Sequence, residues 1–205
     1  MFLSAQNIYR IFQIVNTLAR HDALFPLQRT GITNSVIAAM RLLVRRKTEG
    51  RPGERLARAF QELGPSFIKL GQALSTRSDL LGEEVAADLS DLQDNLPPFA
   101  GSDAKAAIES DLETELEGLF SKFEDHPLAA ASIAQVHFAV TTEGDEVAVK
   151  ILRPGIEKAF EKDLDLFLWI AELIERNYPD LRRLKPVEVI QTFQESTKVE
   201  MDLRM

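Results

Sequence analysis

The chain has 205 residues, 45% of them hydrophobic, enough for a substantial core in one large domain or two small ones; it has no cysteine, which excludes a disulfide framework, a thiolate nucleophile and cysteine-ligated zinc, and its three scattered histidines argue against a metal site. The net charge of −8 is unevenly spread, because residues 1–60 carry ten Lys/Arg against three acids, a basic start that suits an anionic membrane surface better than nucleic acid: it lacks an aromatic-interleaved basic groove and the rest of the chain is acidic. No apolar run reaches the roughly 18 to 20 residues of a spanning helix, and the first residues are not built as a signal peptide.

Ile8, Ile11, Phe12, Val15 and Leu18 recur at helical spacing between Arg10, Gln13, Asn16 and Thr17, so residues 4–20 read as an amphipathic helix. The pattern suits both docking on the chain's own domain and lying on a membrane surface. A second helical pattern runs from about Ser35 to Lys47, with Arg41, Arg45, Arg46 and Lys47 toward its C-terminal end, where cations offset the macrodipole. Arg51, Arg55 and Arg58 fall outside that explanation. Residues 54–63 read as a helix stopped by Gly64-Pro65, which also starts the next one. On that next helix Lys69, Gln72 and Thr76 share one face, while Phe67, Leu70 and Leu74 share another. Gly71 in mid-helix costs about 1 kcal/mol against alanine, which predicts close approach of a neighbour.

Glu83 to Leu92 reads as a short acidic helix before the Pro97-Pro98 break, and Ser102 as the N-cap of a helix to about Leu112, followed by another across Glu113 to Phe120. From Phe123 the pattern changes. Ile133–Val140 and Glu146–Leu152 read as strands joined by a hairpin turn over Thr141–Asp145. Pro154-Gly155 opens a long helix to about Arg176, with Phe160, Leu164, Phe167, Leu168, Ala171 and Ile174 on its apolar side. After the break at Asn177–Asp180, Pro186 starts a helix still running at Met205, which predicts continuation beyond that residue. The expected fold is therefore α+β, with an all-helical part over 1–120 and a hairpin with helices over 121–205.

The chemistry concentrates between Leu128 and Lys150. Lys150 closes the run Val147-Ala148-Val149, which reads as buried in a strand, and a desolvated ammonium there needs an anionic partner. Nucleotide phosphates or a carboxylate are such partners in kinase folds, where a strand lysine is part of the signature. Alone, Val-Ala-Val-Lys also reads as an edge-strand lysine. Upstream, where a kinase covers phosphates with a glycine-rich loop, this chain has Ala129-Ala130-Ala131-Ser132, small enough for close approach but less free to take positive φ.

Three signatures stand in order: Lys69-Leu70-Gly71-Gln72, the alanine-rich stretch Leu128–Val136, and Glu200-Met201-Asp202. With Lys150, they resemble the UbiB family of atypical protein-kinase-like proteins, which support ubiquinone biosynthesis; the three match its KxGQ, alanine-rich and ExD motifs. The resemblance covers essentially the whole chain. It implies a helical extension packed on a kinase-like small lobe, with the large lobe absent from these residues. It implies that Leu128, Ala129, Ala130, Ala131, Ser132, Ile133, Ala134, Gln135 and Val136 line the phosphates of ATP bound with Mg²⁺, and that Lys150 contacts them. Lys69, Gly71 and Gln72 would gate the cleft, with Lys69 and Gln72 meeting Glu200 and Asp202; whether Glu200 pairs with Lys69 or Lys150 stays open. The catalytic aspartate and the metal ligands are expected beyond Met205, so these 205 residues alone are not expected to turn over ATP.

The resemblance further implies ATP hydrolysis or phosphorylation of a small lipid-like molecule, such as an isoprenoid lipid or ubiquinone precursor, rather than of proteins. It places the protein at the cytoplasmic face of a bacterial inner membrane, peripheral or anchored by C-terminal helices, among ubiquinone-biosynthesis proteins. The competing expectation is a non-catalytic lipid-binding scaffold or regulator of those enzymes. Direct oxygenase chemistry lacks support, since there is no flavin fingerprint and no His/carboxylate iron site.

Overall fold

The computed structural model describes residues 5–25, 49–92 and 96–203; the helix expected from Ser35 to Lys47 lies outside them. In chain order the described elements are α1 (Ala5–Arg20), α2 (Pro52–Leu63), α3 (Pro65–Ser75), α4 (Ser78–Leu81), α5 (Glu83–Ser90), α6 (Gly101–Leu112) and α7 (Leu116–Leu119). There follow β1 (Phe120–Phe123), β2 (Ala129–Ala130), β3 (Ala134–Thr141), β4 (Glu146–Leu152), α8 (Ile156–Asn177), a 3₁₀ turn (Pro179–Leu184) and α9 (Pro186–Met201). Helices combined with one small antiparallel sheet make the fold α+β. Contacts group the chain into one unit of residues 1–92 and 160–205 and another of 93–159, so the packing divides the chain differently from the split at 120 read from its pattern.

The first unit is helical, and its local breaks follow the sequence. Gly64 takes φ +105°, a conformation open to glycine, and Pro65 occupies the first turn of α3, so α2 and α3 meet at a sharp corner. The two helices close on each other through Phe60 and Phe67, whose ring centroids lie 5.7 Å apart; Phe67 meets Phe167 of α8 edge-on at 5.0 Å. Gly71 has the predicted cause. A Cβ there would stand under 3.0 Å from Leu92 Cδ1 and 2.7 Å from Phe60 Cδ2, so only glycine lets α3 sit this close. Arg10 turns into the unit, donating to both carboxylate oxygens of Asp163 at 2.8 Å and to the Leu63 carbonyl at 3.1 Å, while lying over the Phe67 ring. This bidentate pair fixes α1 against α8. The outer side of α1 leaves Ile8, Tyr9 and Phe12 exposed.

In the second unit, α6 belongs with the sheet. Ala104 and Ile108 form a core with Leu116 and Ile151, against which Phe99, Phe120, Phe123 and Val149 pack. β4 pairs antiparallel with β3 along its length, while β1 and β2 pair with different parts of β3, so they share its other edge. Thr141–Asp145 makes the predicted turn, with Thr141 N–H donating to the Asp145 carbonyl at 2.9 Å and Gly144 at φ +99°.

Four expectations differ from what is observed. Ala100, not Ser102, is the N-cap of α6, and Gly101 lies so close to Asp125 that a Cβ would come 2.8 Å from its carbonyl oxygen. The helix expected across Glu113–Phe120 is only Leu116–Leu119, because Glu113 ends α6 in the left-handed region at φ 51°. Phe120–Phe123 is a strand instead: a register shift between Phe120 and Lys122 turns both rings toward the core, giving an i, i+3 spacing that mimics a helix. Finally, α9 closes at Met201, with Asp202 extended, so no helix is still running at the last described residues.

Candidate functional site

Lys150 lies on the open face of the second unit's sheet. Residues opposite each other across antiparallel strands point to the same side, so Ala129 of β2, Val136 of β3 and Lys150 of β4 form one cross-strand row, with Phe138 and Ala148 beside it. The opposite face carries Gln135, His137 and Ala139 with Val147, Val149 and Ile151, and these turn toward the core. The expected buried run Val147–Val149 is thus an alternation: Val147 and Val149 are half-buried, Ala148 is exposed, and so is Lys150. The cause is a small antiparallel sheet covered on one side within its own unit. Lys150 makes no hydrogen bond or ion pair among the described residues; what it lacks is a partner, not water.

The alanine-rich stretch divides between surface and core. Leu128 N–H donates to the Val136 carbonyl and Ala131 N–H to the Ala134 carbonyl, each at 2.7 Å, so the loop is a tight link between β2 and β3. Leu128 and Ala129 are exposed, Ala130, Ala131 and Val136 half-buried, and Ser132, Ile133, Ala134 and Gln135 buried. Alanine and serine permit this inward packing; the loop is not a single strip facing one ligand.

Two side-chain arrangements hold the loop. Arg153 N–H donates to the Ile133 carbonyl at 2.8 Å, and its guanidinium to the carbonyls of Pro97 and Ala131 at 3.1 and 3.3 Å, while lying 5.3 Å above the Phe99 ring. Burial lowers the pKa of this guanidinium below the ordinary arginine value. Gln135 Oε1 accepts from Phe99 N–H at 3.1 Å, its amide nitrogen lies 2.7 Å from His137 Nε2, and His137 Nδ1 lies 2.7 Å from the Glu124 carbonyl. The Glu124 oxygen can only accept, so Nδ1 carries the hydrogen and Nε2 accepts from Gln135, a chain satisfied by one tautomer. Phe123 stacks on that ring at 4.9 Å. Sequence reasoning missed Arg153; the signal was a cation three residues after Lys150, just past the end of the same strand.

In the first unit, the KxGQ and ExD residues come together only in part. Lys69 Nζ donates to Glu200 Oε1 at 2.6 Å, which joins α3 to the end of α9, and the Lys69 side chain is only 12% exposed. Gln72 turns elsewhere: its amide donates to the Leu92 carbonyl at 3.4 Å, not to Glu200 or Asp202. Asp202 follows α9 and donates its N–H to the carbonyls of Lys198 and Val199 at 3.1 and 3.3 Å. Gly71 is the point of contact with Phe60 and Leu92. Among the described residues no group of three His, Asp or Glu stands together as metal ligands.

The ABC1 atypical kinase-like domain matches residues 91–205. The chain is similar to the probable protein kinase UbiB of Shewanella baltica, 40% identical over 99% of this chain and 38% of that protein. It is likewise similar to those of Cellvibrio japonicus, 40% identical over 95% and 35%, and Pseudomonas putida, 42% identical over 98% and 38%. The chain therefore spans less than half the length of the relatives it matches. Among solved structures, Rv3197 of Mycobacterium tuberculosis, in complex with erythromycin, is 30% identical with a TM-score of 0.46, covering 84% of this chain and 42% of that one. With the domain match extending over more than half its length and the identity over nearly all of it, this chain belongs to the UbiB family of ABC1 atypical kinase-like proteins.

Proposed function

We propose that this chain is the nucleotide-binding part of an atypical kinase or ATPase that serves ubiquinone biosynthesis and acts on isoprenoid lipids at a membrane rather than on proteins. The observation that carries the reading is the open sheet face around Lys150. An ammonium without a partner among the described residues, next to the small side chains of Ala129 and Ala148 and the apolar side chain of Val136, offers a charge for phosphate oxygens and a flat bed for a base, and a second ammonium, Lys122 Nζ, lies 5.3 Å from the centroid of the Phe138 ring. These residues fit a nucleotide. ATP brought with Mg²⁺ supplies the phosphoryl group; the chain's own contribution is to bind and orient it. Lys150 holds charge at the phosphates, the stretch Leu128–Val136 sets the shape of the loop, and Arg153 keeps that loop from opening.

By family resemblance Lys69, Gly71, Gln72, Glu200 and Asp202 gate nucleotide use, and the Lys69–Glu200 bond supports a lysine held in one position. The test is binding of a fluorescent ATP analogue with Mg²⁺. Lys150→Ala is expected to weaken it by about 100-fold, the scale of one charge-assisted contact; unchanged affinity removes Lys150 from the site. Lys69→Ala is expected to change nucleotide preference or the rate of ATP hydrolysis in the full-length protein.

A second reading, a lipid-bound scaffold without turnover, is favoured by Ile8, Tyr9 and Phe12 exposed together on α1. Phosphate release by the full-length protein with anionic vesicles separates the two, because a scaffold needs none. Phe12→Asp tests peripheral attachment at the cytoplasmic membrane face: vesicle sedimentation equal to wild type removes α1 from that contact.

A further inference from the structure

The first unit contains a cavity of about 600 Å³, all of whose lining residues belong to that unit. Phe60, Phe67 and Phe167 are its buried aromatic residues, and leucine, isoleucine and valine side chains from α3, α4, α8, the 3₁₀ turn and α9 supply most of the rest. The size falls within the range of roughly 300 to 1,000 Å³ typical of small-molecule pockets. Ordered water needs two to four polar partners, and this lining offers few.

Asp79 and Arg183 are the charged residues at the cavity, and their states differ. Asp79 is fully engaged, accepting from Arg77 Nε and a terminal guanidinium nitrogen at 2.8 Å each. Arg183 is exposed and makes no hydrogen bond or ion pair among the described residues. An apolar space with Arg183, unengaged among the described residues, in its lining selects for a molecule apolar along its length and anionic at one end.

We propose that this cavity binds an amphipathic small molecule with one long apolar chain and an anionic head, the chain among the aromatic and aliphatic side chains and the head on Arg183. The inference rests on the lipid part of the function above and gives that part a place; it is independent of the nucleotide part. The anionic amphipath could be free in solution or a lipid held in a bilayer, and the experiment separates these sources.

The full chain, without nucleotide, is titrated with dansyl-undecanoic acid below its micelle concentration. Dodecanoate and dodecanol then serve as competitors. Expected is a saturable, blue-shifted emission displaced by both. Arg183→Gln, an exposed substitution, should weaken dodecanoate by about ten-fold and leave dodecanol unchanged. Ile190→Trp should fill the cavity and abolish binding of either; if its melting curve shows loss of fold, Val189→Phe takes its place. No saturable binding by the wild-type chain overturns the proposal, as does a folded cavity-filling variant that binds as wild type. An equal effect of Arg183→Gln on acid and alcohol overturns the assignment of the head group. Emission that rises only with phosphatidylglycerol vesicles overturns a site for a free molecule in favour of the bilayer. A concentration-dependent dimer lost in Ile190→Trp overturns the ligand in favour of a second copy. Every arm lacks nucleotide, so failure here leaves the Lys150 reading to its own test.

Discussion

Lys69 and Lys150, one in each unit, stand in opposite circumstances. Lys69 is almost enclosed by protein and bonded to Glu200, 131 residues away in sequence, whereas Lys150 stands exposed on an open sheet face with no partner among the described residues. The difference lies in what surrounds each. The helices of the first unit bring a carboxylate to Lys69, so its charge is used in joining α3 to α9. The sheet of the second unit surrounds Lys150 with alanine, valine and phenylalanine, none of which can neutralise it. A cation satisfied by the fold is a positioning residue; a cation left unsatisfied beside small apolar side chains is available to a ligand. The same contrast separates Asp79 from Arg183.

The two lysines should part most clearly when each loses its role. Lys150→Ala, expected to weaken nucleotide about 100-fold, should leave the unfolding midpoint within about 1 °C of wild type, as for a substitution at an exposed position. Glu200→Ala should do the reverse in stability, lowering the midpoint by about 2 to 4 °C, the equivalent of about 1 kcal/mol in a chain of this size. A fall for Lys150→Ala and none for Glu200→Ala, read by thermal melting, would invert the assignment.

The loop near Lys150 gives the next largest effect. Arg153→Ala removes the guanidinium bonds to the Pro97 and Ala131 carbonyls and the contact with Phe99, and about 2 kcal/mol of stability should go with them. Amide exchange should quicken first at Ala131 and Arg153. If exchange there is unchanged, the loop is held by burial of Ser132 and Ile133 alone. In the first unit, Gly71→Ala sets a helix-propensity gain of about 1 kcal/mol against overpacking that costs about 1 to 3. Leu92 can swing aside, but the buried Phe60 ring cannot, so a net loss of about 1 kcal/mol is expected in chemical denaturation.

Much of this fold could be read from the chain because its signals are local. Gly64-Pro65, Pro154-Gly155 and Pro186 mark boundaries by backbone geometry that neighbours cannot override, and the strand over Glu146–Leu152 was legible as a strand, though not its alternation about one covered face. Gly71 was legible as a close approach, though not what approached. What escaped depended on distant partners. The bulge that makes Phe120–Phe123 a strand exists only through pairing with β3, and the grouping of α6 with the sheet rests on Ala104 and Ile108 meeting Ile151. In the site, the order of motifs singled out Lys69, Lys150 and Glu200 but left open which lysine Glu200 meets; the bond is to Lys69. That order could not show that Gln135 faces inward to Phe99 and His137, because inward and outward residues alternate in that stretch and register decides between them.

The smallest expected effect sets the paired cations of the first unit against Lys150 by pH. Glu62 accepts hydrogen bonds from Arg20 and from His21, the latter at 2.8 Å, and its pKa lies below the ordinary 4.5, chiefly through the His21 bond, with burial opposing and the Arg20 bond and charge reinforcing. A depressed folded-state pKa means that the contribution is present above the unfolded value and is lost as pH falls through the folded one. Glu62→Gln should therefore be less stable than wild type at pH 7 and converge with it below the carboxylate range. The side chain is 41% exposed, so solvent screening keeps the difference at neutral pH to about 0.5 kcal/mol. Lys150→Ala, which removes no ion pair among the described residues, should run parallel to wild type across the same range. If the Glu62→Gln curve also stays parallel down to the lowest pH, the contribution comes from packing and not from charge, and being paired would not be what distinguishes the cations of the first unit from Lys150.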